Sequence, residues 1–327
     1  MPVGTAIQTN YGKAFEYSCL KALEAAAAPS RQVAIVGNTS LNVAKAKWEQ
    51  APDEIKSKMA LAADAGVKAL IKLEPRILEK GDDVLELSLQ ADSTGIEGDV
   101  RDILIIRSSI SWEIGVSVKH NHTAAKHSRL SQSIDFGKEW FGVPCSLEYF
   151  ERIRPLFAEL GEQRDMGKQW SELPNKSDDI YKPLLTAFKE ELMRINGESA
   201  ESVTGKLLEY LLGRHDFYKI ISQDRSRSTI LQCINIHGTL NQTGITSAPE
   251  LRAGRTRLPS KVYHFDFKKT GKSESSTTLE LVMDEGWAVS FRIHNASSRI
   301  ETSLKFDIQI SGVPSSLFSQ HQQWQNA

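Results

Sequence analysis

Residues 102–119, DILIIRSSISWEIGVSVK, constrain the fold more than any other stretch. An apolar strand at 102–107 is predicted, then a turn at 108–111, then a second strand at 112–119. In a hairpin the start of the first strand lies beside the end of the second, which places Asp102 next to Lys119. Along the second strand Ile114, Val116 and Val118 share one face, while Glu113, Gly115, Ser117 and Lys119 share the other. The apolar face is core. On the polar face, an aspartate and a lysine held together at a sheet end have two readings. They are either a cross-strand salt bridge of little energetic worth, or a pair that binds a divalent cation and orients water for attack on a phosphodiester.

The surrounding pattern is mixed α and β. Phe15, Cys19 and Leu23 recur at helical spacing over residues 12–28, with Pro29 marking the end. On the wheel of this helix Glu16 falls at about 100°, between Leu23 near about 80° and Leu20 near about 140°. A carboxylate inside an apolar arc is costly unless it meets a cation, a metal or hydrogen-bond donors, or reaches solvent at the margin. Further helices are predicted at 53–78, 147–160, 181–194 and 204–212, and a half-buried strand at 84–90. After residue 228 the runs ILQCINIHG, KVYHFDF, TTLELVM, WAVSFRIHN and SLKFDIQISG read as strands. Three consecutive parts are expected: 1–150, a helical segment 151–227 and a β-rich part 228–327.

Charge bears on the choice of partner. The chain of 327 residues carries 40 Lys and Arg against 41 Asp and Glu, a net charge of −1, which taken whole argues against a polyanion. Locally the balance differs. Residues 252–272 hold seven cations (Arg252, Arg255, Arg257, Lys261, Lys268, Lys269 and Lys272) against one acid, Asp266. Residues 119–129 hold Lys119, Lys126 and Arg129 with His120, His122 and His127 and no acid. Such runs are solvated faces or a polar side that meets phosphate. The three cysteines, Cys19, Cys145 and Cys233, lack any CxxC partner and fit a reducing compartment. No secretory signal or membrane-spanning run is visible, so a cytoplasmic location is expected.

Asp102 ahead of an apolar strand, followed by a strand ending Ser117-Val118-Lys119, resembles the PD-(D/E)xK nuclease superfamily, and Gly12-x-x-x-Glu16 on the first helix adds to the match. Four longer strings, NYGKAFEYSCLKAL, GDVRDILIIR, WEIGVSVKHNHTAAKHSRLSQSIDFGKEWFG and FRIHNASSRIETSLKFDIQISG, are similar to the HaeIII-type type II restriction endonucleases. They lie at 10–23, 98–107, 112–142 and 291–312, so the resemblance spans nearly the whole chain. It implies an α+β or α/β fold: a nuclease core in residues 1–150 made of a helix, a mixed sheet and helices, with a DNA-recognition part in 228–327.

One position departs from the superfamily pattern: Ser117 stands where a carboxylate is expected. Glu113 shares its face but lies about 13 Å away along the strand, too far to share a metal near Lys119, and is assigned a structural or surface role. The missing acid is then Glu16, the first choice, or Asp135 or Glu139, with Asp99 a further possible ligand. By the resemblance, the reaction is Mg²⁺-dependent hydrolysis of double-stranded DNA leaving a 5′-phosphate. Asp102 and Glu16 hold the metal with the Val118 carbonyl, and Lys119 positions or deprotonates the water. His120, Asn121, His122, Lys126, His127 and Arg129 grip phosphates or base edges; an alternative makes His120, His122 and His127 a transition-metal site. Arg252, Arg255, Arg257, Arg292, His294, Asn295, Arg299 and Lys305 are the candidate recognition residues, arginine being suited to the O6 and N7 acceptors of guanine. The resemblance implies the palindrome GGCC, cut to blunt ends, and a cytosine methyltransferase as functional partner. The competing readings are a structure-specific repair nuclease or resolvase on the same core, and a DNA-binding protein without catalysis.

Overall fold

The computed structural model describes residues 3–91, 98–121, 124–199 and 202–325. They divide into two compact units, one drawn from residues 1–123, 213–257 and 316–327, the other from 124–212 and 258–315. The three consecutive parts expected from the sequence are redrawn by this division. Residues 217–234 form a hairpin that pairs into the N-terminal sheet, and residues 124–150 belong to the second unit.

The first unit holds helices α1 (Val3–Ala27), α2 (Thr39–Gln50) and α3 (Asp53–Leu73). Its strands are β1 (Val33–Ile35), β2 (Leu85–Leu89), β3 (Ile103–Arg107), β4 (Trp112–His120), β6 (Phe217–Gln223), β7 (Ser228–Ile234) and β12 (Phe318–Gln323); β5 (Ala124–Ser131) lies in the second unit. Among the described residues they form one mixed sheet in the order β1-β2-β3-β4-β6-β7-β12. The pairs β1/β2 and β4/β6 are parallel and the rest antiparallel. Helix α3 stops at Leu73, short of the predicted 78, because Pro75 has no N–H to continue the ladder and the chain tightens into a 3-10 turn at Pro75–Ile77. Helix α2 lays a short apolar stripe, Leu41, Ala44 and Trp48, on the core, with Ala44 its one buried residue; its start is set by Asn38, whose Oδ1 accepts from Leu41 N at 2.8 Å. Phe15, Cys19, Leu20 and Leu23 of α1 are fully buried in one core with Val116, Val118, Tyr218 and Ile220. Gly66 lets α3 approach β6 closely: a Cβ there would lie 2.8 Å from Ile220 Cγ2.

A carboxyl group inside this core makes stability depend on pH. Glu74 is fully buried, and its Oε1 accepts from Tyr218 Oη at 2.7 Å and Asn241 N at 2.6 Å. Burial pushes its pKa up to about 7 against these hydrogen bonds. A carboxyl raised in the folded state favours folding below its unfolded value and loses that contribution as pH rises through about 7. Glu74→Gln is therefore expected to stabilise the protein by about 2 kcal/mol at pH 8 and by little at pH 5. Thermal melts at the two pH values check this; an equal difference at both would disprove the role of the charge.

The second unit contains β5, β8 (Val262–Thr270), β9 (Ser273–Met283), β10 (Ala288–His294) and β11 (Ser303–Gly312), an antiparallel sheet in the order β5-β11-β10-β9-β8. Its helices are α4 (Phe136–Phe141), α5 (Leu147–Asp165), α6 (Lys182–Glu198) and α7 (Val203–Leu212). From the helices, Phe188 meets Phe291 and Phe306 of the sheet and Trp140 stacks on Phe291, while Phe136 packs on Phe188 and Trp140; the Phe188 and Phe306 rings lie edge to face at 5.0 Å. All three cysteines are buried and unpaired. No helix among the described residues is long and apolar enough to cross a membrane.

Candidate active site

Strands β3 and β4 pair antiparallel with Ile103 opposite Val116 and Arg107 opposite Trp112. A 3-10 turn at Ser108–Ile110 joins them, and Ser111 takes a left-handed backbone (φ 48°) to reverse the chain. Asp102 precedes β3 by one residue, and its N–H donates to Val116 O at 2.9 Å. The register therefore sets its side chain beside Ser117. Its Oδ2 accepts from Val118 N at 2.6 Å, Ser117 Oγ at 3.1 Å and Lys119 Nζ at 3.3 Å. The serine that replaces the expected acid thus holds Asp102 in place. The other oxygen, Oδ1, accepts no hydrogen bond from the described residues.

Glu16 is buried on α1, with Oε2 accepting from Lys13 Nζ at 3.0 Å. Burial, then the negative charge of Asp102, push its carboxyl up to about 7 against Lys13 and Lys119. Glu16 and Asp102 therefore lie within electrostatic reach of each other. Burial and these two carboxylates also hold the Cys19 thiol well above its ordinary range. A further cation was not anticipated. Lys219 of β6 pairs with Ser117 of β4 in parallel register. Burial, then Lys119, push its amine down to about 8 while Asp102 opposes. Its signal in the sequence is one lysine inside the apolar run FYKII.

The other candidates divide between bound and exposed. Arg101 engages both Asp99 (Nη2 to Oδ2, 2.7 Å) and Glu113 (Nη1 to Oε1, 2.7 Å). Gly115 admits the Arg101 stem, since a Cβ there would lie 2.0 Å from Arg101 Cδ. Burial opposes ionisation of Asp99, but Arg101 and Gln90 outweigh it and hold the carboxyl near about 2. Glu113 is thus structural, and Asp99 is committed to Arg101 rather than open as a ligand. Asp135 and Glu139 belong to the second unit. Asp135 caps α4 by accepting from Lys138 N at 2.9 Å and also takes Cys145 N at 3.0 Å; Glu139 is exposed on that helix.

His120 departs from its expected role at phosphate. It is buried, its ring edge-on to Tyr11 and Phe15 at 6.0 and 5.9 Å, and its Nε2 lies 3.4 Å from Asp224 Oδ2. Asn121 is exposed, and its Oδ1 accepts from Asp224 N at 2.9 Å. Together they pin the end of β4. His122, and the side chains of Lys126 and His127, lie outside the described residues. Among the described residues no group of three or more His, Cys, Asp or Glu is arranged to hold a metal. An ion at Asp102 and Glu16 would have to complete its shell with main-chain, water or phosphate oxygens.

Of the recognition candidates, Arg129 is engaged by Glu301 and by Ser303 Oγ at 2.9 Å. Asn295 spends its amide on its own loop, donating to Ser297 O and Arg299 O and accepting from Glu301 N. Arg255 donates to Ile236 O at 3.1 Å. His294 and Lys305 flank Asp307 at 3.4 and 3.5 Å. Arg252, Arg257, Arg292 and Arg299 are exposed.

Comparison with known proteins bears on the whole chain. The family model for the HaeIII restriction endonuclease matches residues 12–314. The type II restriction enzyme HaeIII of Haemophilus aegyptius is 42% identical over 314 residues, covering 96% of this chain and 97% of that enzyme. No solved structure matches the chain. The matched region takes in Glu16, Asp102, Ser117, Lys119 and Lys219 together, and the chain belongs to the HaeIII restriction endonuclease family.

Proposed function

We propose that the protein is a type II restriction endonuclease that hydrolyses double-stranded DNA at GGCC in a Mg²⁺-dependent reaction, on a PD-(D/E)xK-type core. It works in the cytoplasm beside a cytosine methyltransferase that protects the host's own sites. The observation that carries the reading is Asp102 bonded to Ser117, Val118 and Lys119 at one sheet end, with Glu16 within reach. Two carboxylates, one of them raised first by burial and then by the charge of the other, suit a hard divalent cation, which relieves their repulsion. Mg²⁺ is commonly bound by one or two carboxylates together with waters and substrate phosphate. Asp102, Glu16 and the Val118 carbonyl would hold it. When bound, such an ion supplies Lewis-acid stabilisation and lowers the pKa of a water.

The residues of the chain do the rest. Ser117 and the Val118 N–H fix the Asp102 carboxylate so that little reorganisation is needed during reaction. Lys119 orients the attacking water and offsets charge on the phosphate. Exposed arginines among Arg252, Arg257, Arg292 and Arg299 offer bidentate donors to guanine in the major groove.

Digestion of unmethylated plasmid with Mg²⁺ is expected to yield discrete fragments from GGCC sites. Glu16→Ala should lose cleavage by about a hundredfold or more while still retarding the same DNA in Ca²⁺. Cleavage by Glu16→Ala at the wild-type rate would exclude Glu16 from the site. A ladder of structure-dependent cuts, or no cutting at all, would overturn the restriction reading.

A further inference from the structure

Extending the β3/β4 register by one residue puts Asp102 opposite Ser117, and the β4/β6 pairing puts Ser117 beside Lys219. Three adjacent strands thus present Asp102, Ser117 and Lys219 in one row on one face of the sheet, with Lys119 two residues further along β4. From strand spacing and rise, the Cα atoms of Lys119 and Lys219 are about 8 Å apart, so two flexible amines can converge on one phosphodiester. The neighbours of Lys219 on its strand, Tyr218, Ile220 and Ile221, are buried and apolar. Among the described residues the Lys219 ammonium makes no hydrogen bond and no ion pair. A part-buried ammonium facing another ammonium, with no bonded acid, weakens the fold. An aliphatic side chain would suit the position better, and a bound phosphate supplies the counter-charge that the protein does not.

We propose that Lys219 is a further catalytic residue, whose ammonium meets a non-bridging oxygen of the phosphate being cleaved and offsets the charge that builds there. The inference rests on reading Asp102 and Lys119 as the cleavage site.

Lys219→Met and Lys219→Arg, with Asp102→Asn alongside, test it in the full-length protein. Single-turnover cleavage of an unmethylated GGCC duplex, the salt dependence of DNA binding in Ca²⁺, and the melting temperature are measured for each. Lys219→Met is expected to melt at or above wild type and to cut about a hundredfold more slowly. Its slope of log K against log salt should fall by about one phosphate contact. Lys219→Arg, keeping the charge, should recover most of the rate, which a packing role would not require. Should the methionine variant fail to fold, Lys219→Gln carries the same comparison. If Asp102→Asn is inactive while Lys219→Met cuts like wild type with an unchanged salt slope, Lys219 has no part in the reaction. If Asp102→Asn also cuts normally, it is the assignment of the site that fails.

Discussion

Asp102→Asn is expected to lower the cleavage rate by about a thousandfold or more and to tighten metal-free DNA binding. The two effects have one origin. The side chain is close to isosteric, and the remaining oxygen can still accept from Val118 N and Ser117 Oγ, so the β3/β4 end keeps its shape. What is lost is the negative charge that a cation would share with Glu16 and that Lys119 faces at 3.3 Å. Without metal, that same charge repels a DNA phosphate, and removing it releases Lys119 to bind the backbone. Rapid-quench cleavage and binding in EDTA measure the two quantities. A variant that cuts within tenfold of wild type would remove Asp102 from the reaction.

Asp83→Ala is expected to destabilise the first unit by about 3–5 kcal/mol, among the largest effects of any single substitution. Asp83 accepts from Arg107 at both oxygens (2.9 Å each), from Ser109 Oγ at 2.8 Å and from Arg31. Both guanidiniums are buried. Removing the acid leaves Arg107 with Glu79 at 3.4 Å and leaves both arginines with the Arg76 carbonyl. Hydrogen bonds from Arg107, against the cost of burial, hold the Asp83 carboxyl well below the usual range. A depressed carboxyl contributes its stability above the unfolded pKa, about 3.9, and loses it as pH falls toward the folded value. The gap between wild type and variant should therefore be full at pH 7 and narrow in acid below about pH 4. Urea unfolding at the two pH values measures it, and a gap under about 1 kcal/mol at pH 7 would show that the arginines find other partners.

The parts of the site legible in the sequence are those set by local geometry. The turn at 108–111 and the alternation of Ile114, Val116 and Val118 are enough to set Asp102 against Lys119. Glu16 is conspicuous because a carboxylate interrupts an apolar arc. Lys219 is not legible in this way. Its strand is buried on both faces, so its apolar residues run together instead of alternating, and a short continuous run does not distinguish strand from helix. The residues around His127 look like a basic, exposed tract, yet 124–131 is a strand paired to β11. His120 looks like a phosphate ligand by composition, and only tertiary packing against Tyr11 and Phe15 and its contact with Asp224 give it a structural place. The unit boundaries are hidden for a related reason: strands distant in the sequence pair in space, and no linker composition marks the crossings.

Strand β12 pairs along β7, register Phe318 to Cys233, while the other six strands of its sheet all lie before residue 235. During synthesis the ribosome therefore releases β1 to β7 long before residues 318–323 emerge. For that interval β7 presents an unpaired edge, the kind of surface that invites strand exchange and aggregation. The second unit is made in two instalments around the same hairpin. A polypeptide interrupted before residue 318 is thus left with an open sheet, and that edge closes only once residues 318–323 have been made and have docked along β7.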